Sequence, residues 1–581
     1  MIKTLKKSVR QYRLPSLLTP LFVSLEVVCE VTMPLLMSKL IDNGIYGGSI
    51  PTVLKLGVCL LAFALVSMLF GALAGRFAAV ASCGFAKNLR QDMYYAVQKY
   101  SFSNIDKFST ASIVTRLTTD VTNVQNAYQM LIRMAVRSPM MMIISLAVSF
   151  SINVPLSLIF LAAIPILGGV LYVIMTHAHP TFEKVFNTYD RLNNVVQENV
   201  RGVRVVKSFV REDYEINKFN GISEKIYRLF TKAEKLLAFN MPSMQIAMYA
   251  CTLLVSWLGA RIIVGAGAGG SLTTGNLTTL LTYATQILMS LMGLSMVFVM
   301  ITISRASMER IAEILTEQSD ITDPENPITE VSDGSIVFDN VTFRYSRTGE
   351  KPVLDHINLT IPSGATVGII GGTGSSKSSL VQLIPRLYNV TEGSVTVGGH
   401  DVREYAIKPL RDSVAMVLQK NELFSGTVAE NLRWGNENAS DDELREACRL
   451  ACADGFIESF PDKYETHIEQ GGANVSGGQK QRLTIARALL KKPKILILDD
   501  STSAVDTRTD AQIRGALAQH IPDTTKIIIA QRAASVEHAD IIVVMDDGRI
   551  SAVGNHEQLM NESKIYKEVY TSQMKGGSDD E

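Results

Sequence analysis

The chain has 581 residues, 47% of them hydrophobic, with 56 Lys and Arg balanced by 56 Asp and Glu. It is too long for one domain and too apolar for an ordinary pair of soluble ones, and it lacks the basic excess that nucleic-acid binding calls for. Of the six cysteines, Cys29, Cys59, Cys83 and Cys251 lie in or beside apolar runs, and Cys448 and Cys452 fall one turn apart on a predicted helix. No zinc or haem spacing occurs among them, which reads as buried free thiols in a reducing compartment.

Residues 1–13, MIKTLKKSVRQYR, are basic and lead into an apolar stretch that runs past Glu26 and Glu30 without a small-residue cleavage pattern. This reads as an interfacial helix feeding a retained span rather than a signal peptide. Apolar runs that can cross a bilayer fall at 17–41, 53–81, 138–152, 155–175, 241–264 and 277–303. The third is short and must borrow from 130–137 or tilt little. The connections 43–51, 153–154 and 265–276 hold no Lys or Arg, whereas 87–137 and 180–235 hold many and keep helical periodicity. Positive loops stay cytoplasmic, so both termini are placed inside a plasma membrane, with Lys55 and Arg261 snorkelling at the outer ends.

Two features inside the spans are candidate substrate contacts. Glu26 and Glu30 are four residues apart, hence on one helical face, and an ionisable group at membrane depth faces a cavity or a partner. They would attract cationic substrates or pair with a polar group of a partner chain. Met289, Met292, Met296 and Met300 are spaced by three and four along the sixth span. Such a stripe would suit a cavity wall for varied apolar shapes, although plain helix packing is the favoured reading.

The expected architecture is an α-helical six-span transmembrane domain at 1–315 with long cytoplasmic helical extensions. A polar, proline-containing linker follows at 316–334, then an α/β P-loop domain at 335–573 and a disordered tail at 574–581. Within the α/β domain, 335–345 reads as the opening strand, 495–498 and 526–530 as buried parallel strands, and 541–545 with Asp547-Gly548 as a hairpin. The run GIIGGTGSSKSSL, 368–380, joins an apolar strand to a helix predicted over 377–387, the setting of a phosphate-binding loop. Backbone N–H groups from Gly371 through Gly372, Thr373, Gly374, Ser375 and Ser376 to Lys377 would cradle phosphate. Lys377 would neutralise it, the Ser378 hydroxyl would hold Mg²⁺, and Ser379 completes the motif. Ser376 stands where this pattern normally has Gly, and its Cβ would crowd the loop. KILILDD, 494–500, is a strand ending in acids, with Asp499 holding Mg²⁺ through water. VSGGQKQR, 475–482, is a Gly-rich turn opening a helix, a second anion site.

Taken together and in order, these motifs resemble the ATP-binding cassette family, and more narrowly its exporters with a fused membrane domain, over nearly the whole chain. The resemblance implies ATP and Mg²⁺ as cofactors. It makes Tyr345, in VTFRY, the aromatic that stacks on adenine, and Gln419, in VLQ, the residue that links the nucleotide and its metal to the membrane domain. Ser476, Gly477, Gly478 and Gln479 match the signature that caps the γ-phosphate on a second cassette, and Asp506, in SAVD, matches the loop crossing that interface. Residues 197–209 resemble the second intracellular loop, which docks on the partner cassette, and 108–120, with Arg116 and Asp120, the first.

Three positions depart from the family pattern. Asp500 stands in place of the catalytic Glu, Gln531 in place of the switch His, and Gln470 in place of a Glu. Asp is one methylene short, and a displacement of about 1 Å can cost about 10²-fold in rate. The combination resembles the degenerate half of a heterodimeric multidrug exporter, whose signature serves the competent site of a second half-transporter chain. The cargo implied is an amphipathic small molecule, a drug or lipid, moved through membrane lipid. The alternatives are a peptide exporter subunit, a homodimeric lipid or drug exporter, and a gated channel.

Overall fold

The structure is a computed structural model that describes residues 1–266, 272–345, 351–501 and 505–576. It comprises two compact units, one formed by 1–98 with 110–317, the other by 99–109 with 318–581.

Among the described residues the first unit has six helical segments long and apolar enough to cross a membrane. Its long helices are α1 (Arg13–Lys39), α2 (Ile50–Gln98), α3 (Val121–Ile152), α4 (Val154–Arg201), α5 (Glu212–Ala238), α6 (Asn240–Ala266) and α7 (Thr274–Thr316). Helices dominate because hydrocarbon offers no partner for backbone N–H and C=O groups, which must bond within their own segment. The short third run is solved by extension, since α3 takes in residues 130–137 and Arg137 with them. Only Asn153 separates α3 from α4; it is extended, and its side chain accepts from the Leu156 N–H as an N-cap. The break between α5 and α6 falls at Phe239, just before Pro242, which has no N–H to continue the helix.

The far end of this unit is pinned by Asp42. Its carboxylate accepts from the Thr273 hydroxyl at 2.6 Å and the Gly275 N–H at 2.9 Å. Gly275 is required by the contact, because a Cβ there would stand 2.4 Å from the Ser38 carbonyl oxygen and 2.8 Å from the Ser38 Cα. Arg116 and Asp120 both bond to α7. Arg116 reaches the Arg310 carbonyl and the Glu313 carboxylate, and buried Asp120 accepts from Ser307 and Arg310.

The second unit contains a mixed sheet that holds the candidate site. Its strands are β1 (Ile336–Phe343), β2 (Leu354–Ile361), β3 (Thr366–Gly371), β4 (Glu392–Val397), β5 (His400–Asp401) and β6 (Val414–Val417). They continue with β7 (Gly426–Thr427), β8 (His467–Ile468), β9 (Ile495–Asp499), β10 (Thr525–Ile529), β11 (Ile541–Asp546) and β12 (Arg549–Gly554). The six-stranded sheet runs β12-β11-β3-β10-β9-β6 and is parallel except for β12; an antiparallel sheet, β2-β1-β4-β5, accompanies it. Strands β9 and β10 are buried throughout, as continuous apolar runs in a parallel sheet must be. The β11–β12 turn uses Asp547 and Gly548, both at positive φ.

Several sequence expectations change. The helix after the phosphate loop, α8 (Lys377–Gln382), stops five residues before 387, because Pro385 removes a donor and excludes helical geometry before it. Cys452 lies beyond the helix that carries Cys448, with φ 53°, and all six cysteines are free. The segment expected as linker is fastened to the α/β unit: Ile328 pairs in parallel with Tyr405, and Val331 is buried. The last helix, Lys564–Gly576, enters the expected tail, of which 577–581 lies outside the described residues. Residues 99–109 also pack with the α/β unit. Their short helix, Phe102–Lys107, is capped by Ser101 and holds Asp106 within 2.6 Å of the Tyr388 hydroxyl.

Gly275→Val should lower the melting temperature of the purified protein in detergent, with a loss of about 1–3 kcal/mol. Gly57→Val is the control, since no atom lies within 4 Å of a Cβ there. An equal melting point for both variants would contradict the close α1–α7 contact.

Candidate functional site

Parallel pairing sets the site. Ile529 of β10 lies opposite Ile369 of β3 on one side and Asp499 of β9 on the other, and Val417 of β6 lies opposite Leu498. The carboxyl ends of four strands therefore coincide, and the residues just past them, 371–377, Gln419, Asp499 with Asp500, and Gln531, share one edge. That edge is where open α/β sheets bind ligands.

At the β3 end, a Cβ on Gly371 would lie 2.2 Å from the Met545 carbonyl oxygen, so the exit of this strand beside β11 requires glycine. Gly374 turns at φ 86°. Ser376 sits at φ 70°, ψ 22°, left-handed geometry in a residue with a side chain, at the position where the pattern usually has Gly. Lys377 Nζ donates to the carbonyls of Gly371 and Gly372, both at 2.8 Å, and to Ser375 Oγ at 3.1 Å. Burial pulls the Lys377 ammonium below its ordinary range, opposed by the charges of Asp499 and Asp500.

Ser378 Oγ donates to Asp499 Oδ1 at 3.0 Å. Asp499 is 4% exposed, and burial raises its pKa against the pull of the Ser378 hydrogen bond. A hydroxyl and a buried carboxylate side by side form the hard-oxygen donor pair that Mg²⁺ prefers, so the residues present fit that ion.

Asp500 has φ 48° and is held from two directions. Its Oδ2 accepts from Gln531 Nε2 at 2.9 Å and, more weakly, from Gln419 Nε2 at 3.4 Å. Burial raises the pKa of this carboxylate, and the two amides work against the rise. Two of the three departures, Asp500 and Gln531, thus meet with Gln419 at one oxygen, and Gln470 does not join them.

Tyr345 closes the other side. Its hydroxyl bonds Ser379 Oγ at 2.8 Å and its ring stands edge-on to Phe343 and Tyr388, while nearly half of its surface stays open. Tyr388 was not singled out from the sequence; a Tyr inside LIPRLYNV has no local signature of a role.

The turn 476–479 opens the helix α9 (Gly477–Leu490). The Ser476 hydroxyl accepts from the Gln479 N–H, and the Gln479 side chain accepts from the Ser476 N–H, a capping box. Among the described residues no hydrogen bond joins this turn to the phosphate loop. Asp506 caps the helix α10 (Thr507–His520) by accepting from the Thr509 N–H, which lowers its pKa; residues 502–504 lie outside the described residues. Gln470 is exposed in the turn before the signature.

In the membrane unit, Glu26 and Glu30 meet a partner from 87–137, the segment expected to be cytoplasmic. Arg137 Nη1 lies 2.5 Å from Glu26 Oε1, and Nη2 lies 2.8 and 2.9 Å from the two oxygens of Glu30. The pairing is within this chain, and Arg137, at the margin of the third apolar run, was the available signal. Glu30 and Arg137 line a cavity of about 650 Å³ between α1, α2, α3 and α7. Of the methionine stripe, only Met289 lines it. Met292 packs into the helix core, Met296 is exposed and does not line the cavity, and Met300 is half-buried.

Residues 17–292 match the ABC transporter transmembrane region family, and 354–503 match the ABC transporter family. An uncharacterized ABC transporter ATP-binding protein of Bacillus subtilis is 35% identical over 94% of both chains. The ATP-dependent lipid A-core flippase of Desulfotalea psychrophila is 33% identical over 84% of both. A bacterial Atm1-family ABC exporter solved with ATP bound superposes with TM-score 0.80 over 97% of this chain and 98% of that one, at 24% identity, which speaks to the fold. The chain belongs to the ATP-binding cassette transporters, a multi-pass membrane protein with its transmembrane and ATP-binding domains fused.

Left-handed geometry costs a residue with a Cβ about 1 kcal/mol or more relative to glycine. Ser376→Gly should therefore raise the melting temperature of the full-length protein by about 2–4 °C. A fall in melting temperature would show that the Ser376 side chain makes a stabilising contact that outweighs the strain.

Proposed function

We propose that this chain is one half of an ATP-driven exporter of amphipathic small molecules, drugs or lipids, in a plasma membrane with both termini cytoplasmic. Its own ATP site binds nucleotide and turns it over slowly, and its signature turn completes a competent site on a second, different chain. The observation that carries the reading is the Asp500 carboxylate, tethered by the Gln531 and Gln419 amides.

Binding groups are kept. Tyr345 offers an aromatic face for adenine, the N–H groups of 371–377 and the Lys377 ammonium serve the phosphates, and Ser378 with Asp499 would hold Mg²⁺, which supplies charge neutralisation at the phosphates. Gln419, at the family position for that role, reaches the neighbouring Asp500. The hydrolytic groups are what changed. A general base must reach the proton of the attacking water, and an aspartate one methylene short and tied to two amides reaches less far than a free glutamate. The Gln531 amide hydrogen-bonds but cannot take up or release a proton near neutral pH, as a histidine does.

A homodimer would carry this arrangement twice and have no competent site, which favours a partner of different sequence. Ser476–Gln479 keeps a helix N-terminus able to cap a phosphate in trans. The tip at 203–210 exposes Val205, Phe209 and Val210, apolar residues suited to dock on the partner cassette. The relationship to a lipid A-core flippase supports an amphipathic cargo.

In the purified heterodimer, Ser476→Arg should nearly abolish ATP hydrolysis, whereas Asp500→Ala should slow it less than about threefold. Equal damage from both would make this site catalytic and the reading wrong. Rebuilding the site with Asp500→Glu and Gln531→His should raise turnover there by about 10²-fold, the usual contribution of a positioned base. With Asp500 retained, residual turnover at this site should fall as the pH drops toward its raised pKa, since the base works ionised.

A further inference from the structure

We propose that the Glu26–Arg137–Glu30 cluster makes the membrane cavity a site for amphipathic organic monocations. The inference rests on the export reading above and specifies the charge of the cargo.

Two carboxylates share one guanidinium. With each group ionised the cluster carries one net negative charge, in surroundings where an uncompensated charge is expensive. Three hydrogen bonds commit both terminal nitrogens of Arg137 to carboxylates. An arriving anion would have to displace a carboxylate and then face two of them. A cation meets the opposite field.

Glu26 is the more deeply buried of the two carboxylates and keeps its negative charge beside the cavity. It is 7% exposed, and its Oε2 is buried with no hydrogen-bond partner among the described residues. Helix α2 offers it none, since the residue beside the carboxylate is Gly71, where a Cβ would stand 3.0 Å from Glu26 Oε1. A carboxylate with an idle oxygen prefers a nearby positive charge.

Among the described residues, Glu30 and Arg137 are the only ionisable groups lining the cavity. The hydroxyls of Thr278, Thr282 and Thr285 on α7 donate back to carbonyls of their own helix, so each presents oxygen lone pairs and no hydrogen to the cavity. Acceptors facing inward suit an ammonium or N–H group. Methionines on α1, α3 and α7 supply adaptable apolar surface for the rest of the molecule. The ammonium would sit against Glu30, the carboxylate that reaches the cavity, and take over part of the charge compensation that Arg137 provides.

The complete transporter, this chain with its partner subunit, is reconstituted in liposomes. ATP-driven movement is followed for ethidium, a permanent monocation, and for calcein acetoxymethyl ester, which is uncharged. Wild-type protein should move ethidium. Glu30→Gln should lower kcat/KM for ethidium by about tenfold or more, the value of one charge contact, and change the ester by less than about twofold. Equal loss for both probes overturns the inference, as does a wild type that moves only the ester; in the latter case export of amphiphiles still stands. A wild type that moves neither probe contradicts the export reading itself. A second measurement needs no variant: tetraphenylphosphonium should compete with ethidium for the wild-type transporter far better than the ester does. Equal competition would also overturn it.

Discussion

The α/β unit depends on one constraint, the parallel register of β6, β9, β10 and β3. Because these strands start and stop together, the loops that leave them open on one edge, and side chains far apart in sequence arrive within hydrogen-bonding distance. Gln419, Asp500 and Gln531 meet at a single carboxylate oxygen for this reason. A one-residue slip of any strand would turn its side chains to the other face and dissolve the cluster. At this register β9 and β10 are buried along their whole length.

In the membrane unit the corresponding constraint is the scarcity of polar partners. Helices close their own backbone bonds, and the ionisable groups left over must find one another across helices. Asp42 at one end, the Arg137 cluster between, and Asp120 with Arg116 at the other end each tie the α1 or the α3 region to a neighbouring helix. Glycines let the helices approach where these ties are made, Gly275 against Ser38 and Gly71 beside Glu26.

The fold was largely readable from the chain because its signals are local. Apolar runs marked the spans, the Asp547-Gly548 pair marked the hairpin, and the glycine-rich run after β3 marked the phosphate loop. The departures at Asp500 and Gln531 were readable as letters, but their hydrogen bond was not, since it joins residues 31 apart through strand pairing. Arg137 was counted with cytoplasmic cations because charge placement along the chain says nothing about which helix faces which. Residues 99–109 and the linker region carried no sign that they would pack against the α/β unit. The contacts that hold them, Asp106 with Tyr388 and Ile328 with Tyr405, are pairings between distant segments.

Slow turnover at an occupied site has one direct consequence, which is the identity of the nucleotide found there. The purified transporter would be cycled with radiolabelled ATP, quenched, and the nucleotide held on this chain separated from that on its partner. The account predicts mostly unhydrolysed ATP on this chain while the partner carries ADP. ADP on this chain in the same proportion as on its partner would contradict it.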